Sequence, residues 1–153
     1  MDAALCEDVA EGVAFCGHSI WTTVATEGSA ADAAFRHPEG VFSQIIVEEV
    51  GRADGLDLEA IRETILATAA NAMGGAPEDV DLLDLTKAEI DGREAASLIY
   101  HGEIGGVEVV FANTVLLMDQ KTLQAVTIAP EATLSDGHRA AHAGFLADLR
   151  VVE

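Results

Sequence analysis

The sequence predicts an α+β fold, in which one antiparallel sheet of about six strands has helices packed on its faces as an α/β/α sandwich. Three observations lead to this prediction. The first half of the chain contains short runs rich in β-branched and aromatic residues, which are typical of strands. Two later segments have apolar residues at helical spacing. Between them, three turn signals in succession separate apolar runs, which indicates a meander of four antiparallel strands.

The length and composition indicate a single domain. The chain has 153 residues, and 50% of them are hydrophobic, so extensive disorder is not expected. We find no internal repeat and no low-complexity linker that would mark a domain boundary. No apolar run reaches the length of about 18 residues that a membrane-spanning helix needs. We therefore predict that residues 1–153 form one domain without a membrane span.

Four segments in the first half of the chain are predicted to be strands. They are residues 13–16, 20–24, 33–35 and 41–50. The second segment contains Trp21, the single tryptophan of the chain, which we expect to lie in the core. The last segment is rich in isoleucine, valine and phenylalanine, and is expected to be buried on both faces for part of its length.

Two segments are predicted to be helices. Residues 57–73 have apolar side chains at helical spacing, and two glycines follow them. Near the end of the chain, Ser135 is a suitable N-cap for a helix that runs to about Leu149. Ala141 and Phe145 lie on the same apolar stripe of this helix, which is therefore expected to pack on the sheet.

The four-stranded meander is predicted between these two helices. Its turns lie at Asp91-Gly92, at Gly105-Gly106 and within residues 119–122. Asp-Gly and Gly-Gly pairs readily adopt the backbone conformations that two-residue hairpin turns require. Each strand should therefore pair with the strand that precedes it.

The charge of the chain limits its partners. Asp and Glu number 27 and Lys and Arg number 8, for a formal net charge of −19. Phosphate backbones and anionic lipid surfaces repel such a chain, so we expect binding neither to nucleic acid nor to a membrane surface. The favoured interpretation of the acidity is a solvated surface, and the alternative is attraction to cations or to a basic partner.

Cys6 and Cys16 are predicted to form a disulfide. Their spacing matches neither a zinc motif nor a Cys-x-x-Cys redox motif. A disulfide would tie the N-terminal segment to the first predicted strand, and such bonds persist in oxidising compartments. The alternative is a cytosolic protein with two free thiols.

The cysteines therefore favour a periplasmic or secreted protein. The opening residues contain neither a basic segment nor an apolar segment of the kind that signal peptides have. Our hypothesis is that the signal peptide has been removed from a mature exported chain and that cloning supplied Met1.

Three segments resemble the PsbP-like fold family. Residues 15–21 (Phe-Cys-Gly-His-Ser-Ile-Trp) resemble its opening strand, which leads to a buried tryptophan. Residues 90–100 resemble its Asp-Gly hairpin, and residues 137–149 are similar to its last helix. The family includes many small exported bacterial proteins of unknown function and has no catalytic signature. The resemblance therefore implies the fold and a non-catalytic binding or accessory role, and it identifies no ligand-binding residue.

His138 and His142 are weak candidates for metal ligands. Residues four positions apart share one face of a helix, and two imidazoles placed in this way can chelate a metal ion. The segment has no glutamate after its first histidine, so the metalloprotease helix motif does not match. We favour the alternative that both are surface histidines.

Asp79, Asp81 and Asp84 form an acidic cluster that offers oxygen ligands to calcium. The cluster lacks the glycine and the terminal glutamate of an EF-hand loop. We favour a solvated loop here, and we predict no cofactor.

The preferred function is a small exported protein that catalyses nothing and binds a protein partner or a small ligand, as a monomer or a homodimer. We therefore predict no catalytic residues. One alternative is an intracellular enzyme that uses a free cysteine or a histidine-bound metal. The other alternative is an acidic interaction module for a basic partner.

Overall fold

The computed structural model describes residues 6–10, 12–17, 20–25, 31–38, 40–49, 81–104, 106–118, 121–131 and 135–151. Within these ranges, ten strands form two sheets, and one helix packs on the larger sheet. The elements are β1 (Glu7–Ala10), β2 (Val13–Phe15), β3 (Thr22–Val24), β4 (Ala33–Arg36), β5 (Phe42–Glu49), β6 (Asp81–Ile90), β7 (Arg93–Ile104), β8 (Val107–Met118), β9 (Lys121–Ala129), α1 (Asp136–Ala147) and β10 (Leu149–Val151).

The larger sheet has seven strands in the order β3-β4-β5-β9-β8-β7-β6, and all neighbours are antiparallel. The predicted meander is confirmed as β6 to β9. At its first turn, Asp91 and Gly92 have φ values of 51° and 77°. A type I′ hairpin turn requires a positive φ at both central residues, which is why the Asp-Gly pair was an informative signal.

The smaller sheet has three strands, with β2 between β1 and β10. In this sheet Phe15 pairs with Leu149, and both side chains are buried. The Cys6–Cys16 disulfide joins the residue before β1 to the residue after β2. The predicted C-terminal helix is confirmed with Ser135 as its N-cap, but it ends at Ala147, and Leu149 already belongs to β10.

The predicted α/β/α sandwich with a sheet of about six strands is wrong. The described residues are mostly strand, and they form a seven-stranded sheet, a three-stranded sheet and one helix. The predicted helix over residues 57–73 lies outside the described residues. The sequence did not indicate β1 or β10, because strands of three or four residues are too short to show an alternating pattern. In the structure, both β1 and β10 pair antiparallel with β2.

An aromatic cluster lies in the core between the larger sheet, the smaller sheet and α1. Phe145 of α1 lies with its ring centroid 5.1 Å from that of Phe15, 5.0 Å from that of Trp21 and 5.8 Å from that of Phe35. Trp21 is 3% exposed, which confirms that it belongs to the core. This cluster fixes the position of the helix over the sheet.

Candidate functional site

A cleft of about 400 Å³ lies between α1 and two loops of the larger sheet. One loop leads into β3, and the other joins β4 to β5. The residues that line the cleft are Ile20, Trp21, His37, Gly137, Ala140, Ala141, Gly144 and Asp148. Its walls therefore come from three separate parts of the chain, which no single sequence motif could have revealed.

The helical wall of the cleft is made of small residues. Gly137 is three and four positions before Ala140 and Ala141, and Gly144 is four and three positions after them, so these residues lie along one side of α1. A Cβ atom added at Gly144 would meet no atom within 4 Å. Glycine inside a helix is less favourable than alanine by about 1 kcal/mol. The helix thus has an open surface at Gly144 at some cost in stability.

The opposite wall is apolar and well fixed. Backbone amides of Ile20 and Trp21 both donate to the carbonyl of Gly17, at 3.1 and 3.0 Å. Ile20 lies at the cleft with 53% of its surface exposed. The Trp21 ring lies against His37, with the ring centroids 4.7 Å apart. The cleft thus combines a rigid aromatic side with an exposed aliphatic side chain.

Asp148 gives one end of the cleft a negative charge. It is the C-cap residue of α1, where the helix dipole is also negative. Within the described part of the chain, its carboxylate has no ion pair, and no lysine or arginine lines the cleft. The guanidinium of Arg150 is nearby in sequence but donates to the carbonyl oxygens of Ala147 and Leu149, both at 2.8 Å.

The disulfide lies beside this acidic end. Cys6 and Cys16 are bonded, as predicted, and the chain has no other cysteine. The backbone amide of Cys16 donates to the carbonyl oxygen of Asp148 at 2.8 Å. Both thiols are therefore joined in the disulfide in this structure, so neither is placed there as a free nucleophile.

His142 is not a surface residue, contrary to the interpretation favoured above. It is 6% exposed and lies between α1 and the larger sheet. Its Nδ1 lies 2.6 Å from Oγ1 of Thr127, and its Nε2 lies 2.9 Å from Oγ1 of Thr114. His138 has a different partner, since its Nδ1 lies 2.9 Å from a carboxylate oxygen of Glu131. A metal ion shared by the two histidines would have to displace a threonine hydroxyl from His142.

A continuous polar chain runs through His142 and across four strands. On one side, Thr127 Oγ1 lies 2.7 Å from Oγ of Ser43, and on the other, Thr114 donates to Oγ of Ser97 at 3.3 Å. Burial, aided by the positive charge of Arg139, lowers the pKa of His142 to about 4. The ring is therefore neutral at neutral pH, and it offers one donor and one acceptor to the two threonines.

The acidic cluster is only partly visible. Asp79 and the side chain of Asp81 lie outside the described residues, and Asp84 is exposed on β6. Among the residues that are described, no three or more histidine, cysteine, aspartate or glutamate side chains are grouped so that they could hold a metal ion.

The opposite face of the larger sheet carries a second buried polar cluster. Asn113 donates through Nδ2 to the hydroxyl of Tyr100 at 3.2 Å and to Oε1 of Gln124 at 3.0 Å. Burial raises the pKa of Tyr100 to about 12, although the hydrogen bond from Asn113 acts in the opposite direction. Tyr100 also stacks on Phe111, with the ring centroids 4.9 Å apart. These contacts join β7, β8 and β9 side by side, so we assign them a structural role.

Comparison with known proteins identifies the fold. No protein-family model matches the sequence, and no curated protein matches it either. Among solved structures, the chain is similar to cyanobacterial PsbP (CyanoP) from Synechocystis sp. PCC 6803, with a TM-score of 0.68 and 17% sequence identity. The match covers 95% of this chain and 89% of that one. The chain has a PsbP-like fold.

A second structure supports the same fold. A protein from Bacteroides thetaiotaomicron VPI-5482 matches with a TM-score of 0.58 and 11% identity, over 95% of this chain and 48% of that one. The chain therefore spans about half the length of that protein. The PsbP-like fold agrees with the resemblance seen in the sequence, and at these identities the likeness extends to the fold alone.

The disulfide fits a location outside the cytoplasm. Disulfides persist in oxidising compartments, whereas cytosolic thiols are kept reduced. Within the described ranges, no helix has the length and apolar character needed to cross a bilayer.

Proposed function

We propose that this protein is a periplasmic or secreted binding domain without catalytic activity, and that the cleft between α1 and Trp21 holds part of a protein partner. The observation that carries the proposal is the open helix surface at Gly144, opposite the exposed side chain of Ile20. A helix interior favours alanine over glycine. A ligand that packs on Gly144 gives a physical reason for glycine at this position.

The chemistry of the cleft favours binding over catalysis. Its lining offers mainly apolar surface, together with one imidazole and one carboxylate. Apolar pockets with few polar groups are typical of ligand-binding sites. Side-chain nucleophiles lie elsewhere, since the cysteines are joined to each other and, among the described residues, no serine, threonine, tyrosine or lysine lines the cleft.

The test is an NMR titration of the ¹⁵N-labelled protein with a panel of acetylated pentapeptides that differ in one central apolar residue. We expect the largest chemical-shift changes around the cleft, and we expect Gly144→Leu to abolish them by filling it. Ala143→Leu is the matched control, because it places the same side chain at the next, exposed position of α1. Shift changes that are absent, or that fall outside the cleft, would contradict the proposal, as would equal effects of the two variants.

A further inference from the structure

We propose that the cleft binds an extended segment of a partner protein, about five residues long, with an apolar side chain against Ile20 and a lysine or arginine side chain against Asp148. This inference rests on the proposed function and adds the chemistry of the partner.

The length of the segment follows from the helical wall. The lining residues of α1 run from Gly137 in its first turn to Asp148 at its C-cap. At 1.5 Å per residue, this wall is about 16 Å long. An extended chain advances about 3.3 Å per residue, so about five residues span the wall. Because the wall consists of glycine and alanine, the backbone of such a segment can approach the helix closely.

The apolar side chain is assigned to the middle of the cleft. Trp21 and Ala141 are both buried there, and Ile20 stands exposed at the edge. The apolar surface that is open to water belongs to Ile20 on one wall and to Ala140 of α1 on the other, so an aliphatic side chain between them would remove that surface from water. The buried Trp21 ring lies beneath this position and is held by contacts with Phe145 and His37.

The basic side chain is assigned to the Asp148 end. The carboxylate and the negative end of the α1 dipole lie together there, and both favour a cation. Arg150, the described arginine near this end, does not supply one, because its guanidinium donates to backbone carbonyls. The net charge of −19 attracts basic partners over a longer range and repels acidic ones.

The experiment uses the fluorescence of Trp21, which is the single tryptophan of the chain and lines the cleft. The probes are two acetylated and amidated pentapeptides of alanine with a central leucine, one with arginine at its first position and one with arginine at its last. Matched peptides carry glutamine or glutamate instead of arginine. We expect one arginine peptide to bind about tenfold more tightly than its glutamine counterpart, as for a charge-assisted hydrogen bond, with the glutamate peptide weakest.

Variants of the protein separate a local effect from a net-charge effect. Asp148→Asn should remove the preference for arginine over glutamine. Glu103→Gln removes one negative charge from an exposed position on β7 and should retain the preference. Asp148→Lys should reverse it in favour of the glutamate peptide. Thermal unfolding of each variant shows whether it remains folded, and Asp148→Ser provides a second neutral replacement.

The outcomes distinguish this inference from the proposed function. If the arginine and glutamine peptides bind equally well in the cleft, the basic segment is wrong and the binding function stands. If Asp148→Asn and Glu103→Gln reduce the preference for arginine over glutamine equally, only the net charge of the protein matters, and this result also overturns the inference. If arginine amide alone binds as tightly as the pentapeptide, the site recognises a small amine rather than an extended segment. If no arginine peptide changes the fluorescence, the inference fails, and the NMR panel decides the proposed function separately.

Discussion

Nδ1 of His142 lies 2.6 Å from Oγ1 of Thr127, inside the interface between α1 and the larger sheet. The other side of the same helix forms the wall of the cleft. A polar contact in an otherwise apolar interface is sensitive to the protonation state of the imidazole, because a charged ring would have to donate through both nitrogens. The helix that forms the cleft wall thus packs on the sheet partly through a histidine that is neutral at neutral pH.

We expect the protein to lose stability as the pH falls from 6.5 to about 4. The ordinary pKa of histidine is 6.5, and burial lowers the pKa of His142 to about 4 in the folded state. Between these values the unfolded chain binds more protons than the folded one, so acidification favours unfolding. The loss is complete below both values and amounts to roughly 3 kcal/mol.

Denaturant titrations at a series of pH values measure this effect, and His142→Gln is the variant to compare. It should have a clearly flatter dependence between pH 6.5 and 4. Some dependence should remain, because the pKa of Glu131 is also lowered: burial raises it, but hydrogen bonds from Ser135 and His138 outweigh burial. Identical pH profiles for the two proteins would show that His142 does not carry the effect.

Gly144→Ala should stabilise the protein by about 0.5–1 kcal/mol. The added methyl group meets no atom within 4 Å, and alanine loses less backbone entropy than glycine when a helix forms. Urea unfolding measures the change. The reverse substitution at the neighbouring exposed position of the same helix, Ala143→Gly, should destabilise the protein by a similar amount. A loss of stability in Gly144→Ala would mean that the space beside Gly144 is not open.

Trp21→Ala should destabilise the protein by roughly 3–5 kcal/mol, because it removes a buried aromatic side chain and leaves a cavity beside Phe145. Ile20→Ala is the control from the same turn. Since Ile20 is exposed, its replacement should change the free energy of unfolding by about 0.5 kcal/mol or less. If denaturant titration shows that Trp21→Ala lowers the free energy of unfolding by less than about 1 kcal/mol, the assignment of Trp21 to the core is wrong.

The disulfide should be detectable by intact mass after alkylation in denaturant. Without a reductant we expect no added mass, and with a reductant we expect two alkyl groups, on Cys6 and Cys16. The two cysteines are 10 residues apart in sequence. Closing a loop of that size is worth about 2–3 kcal/mol in the chain-entropy model, so reduction should lower the stability by about that amount. Two alkyl groups added without reductant would show that both thiols are free, and the hypothesis of an enzyme that uses a free cysteine would then have to be considered again.

Local signals explain what could be predicted from the sequence. The Asp91-Gly92 turn and the Ser135 cap depend on the conformational preferences of adjacent residues, and both were identified correctly. The pairing of β10 with β2 could not be identified, because it joins short segments from opposite ends of the chain, and β1 was missed because it has only four residues. The missing second sheet is what made the predicted layer arrangement wrong.

The cleft could not be predicted for a related reason, because its walls come from three separate parts of the chain, and the surroundings of His142 could not be predicted either. His142 reaches hydroxyl groups that are 15 and 28 residues away in sequence, and nothing in the helix segment identifies them. The one available signal was that Thr114 and Thr127 each have an apolar residue two positions away on either side, and so lie among apolar residues on one face of their strands. A polar residue at such a position needs a hydrogen-bond partner from a neighbouring element.

The arrangement around β2 also has a mechanical consequence. The disulfide makes β1 and β2 parts of a closed covalent ring, so a pulling force applied at Cys6 passes to Cys16 without separating these strands. Cys16 follows Phe15 at one end of β2, whereas Val151 pairs with Val13 at the other end. Tension between Cys6 and Val151 therefore shears β2 against β10 and loads their hydrogen bonds together, rather than opening them one at a time.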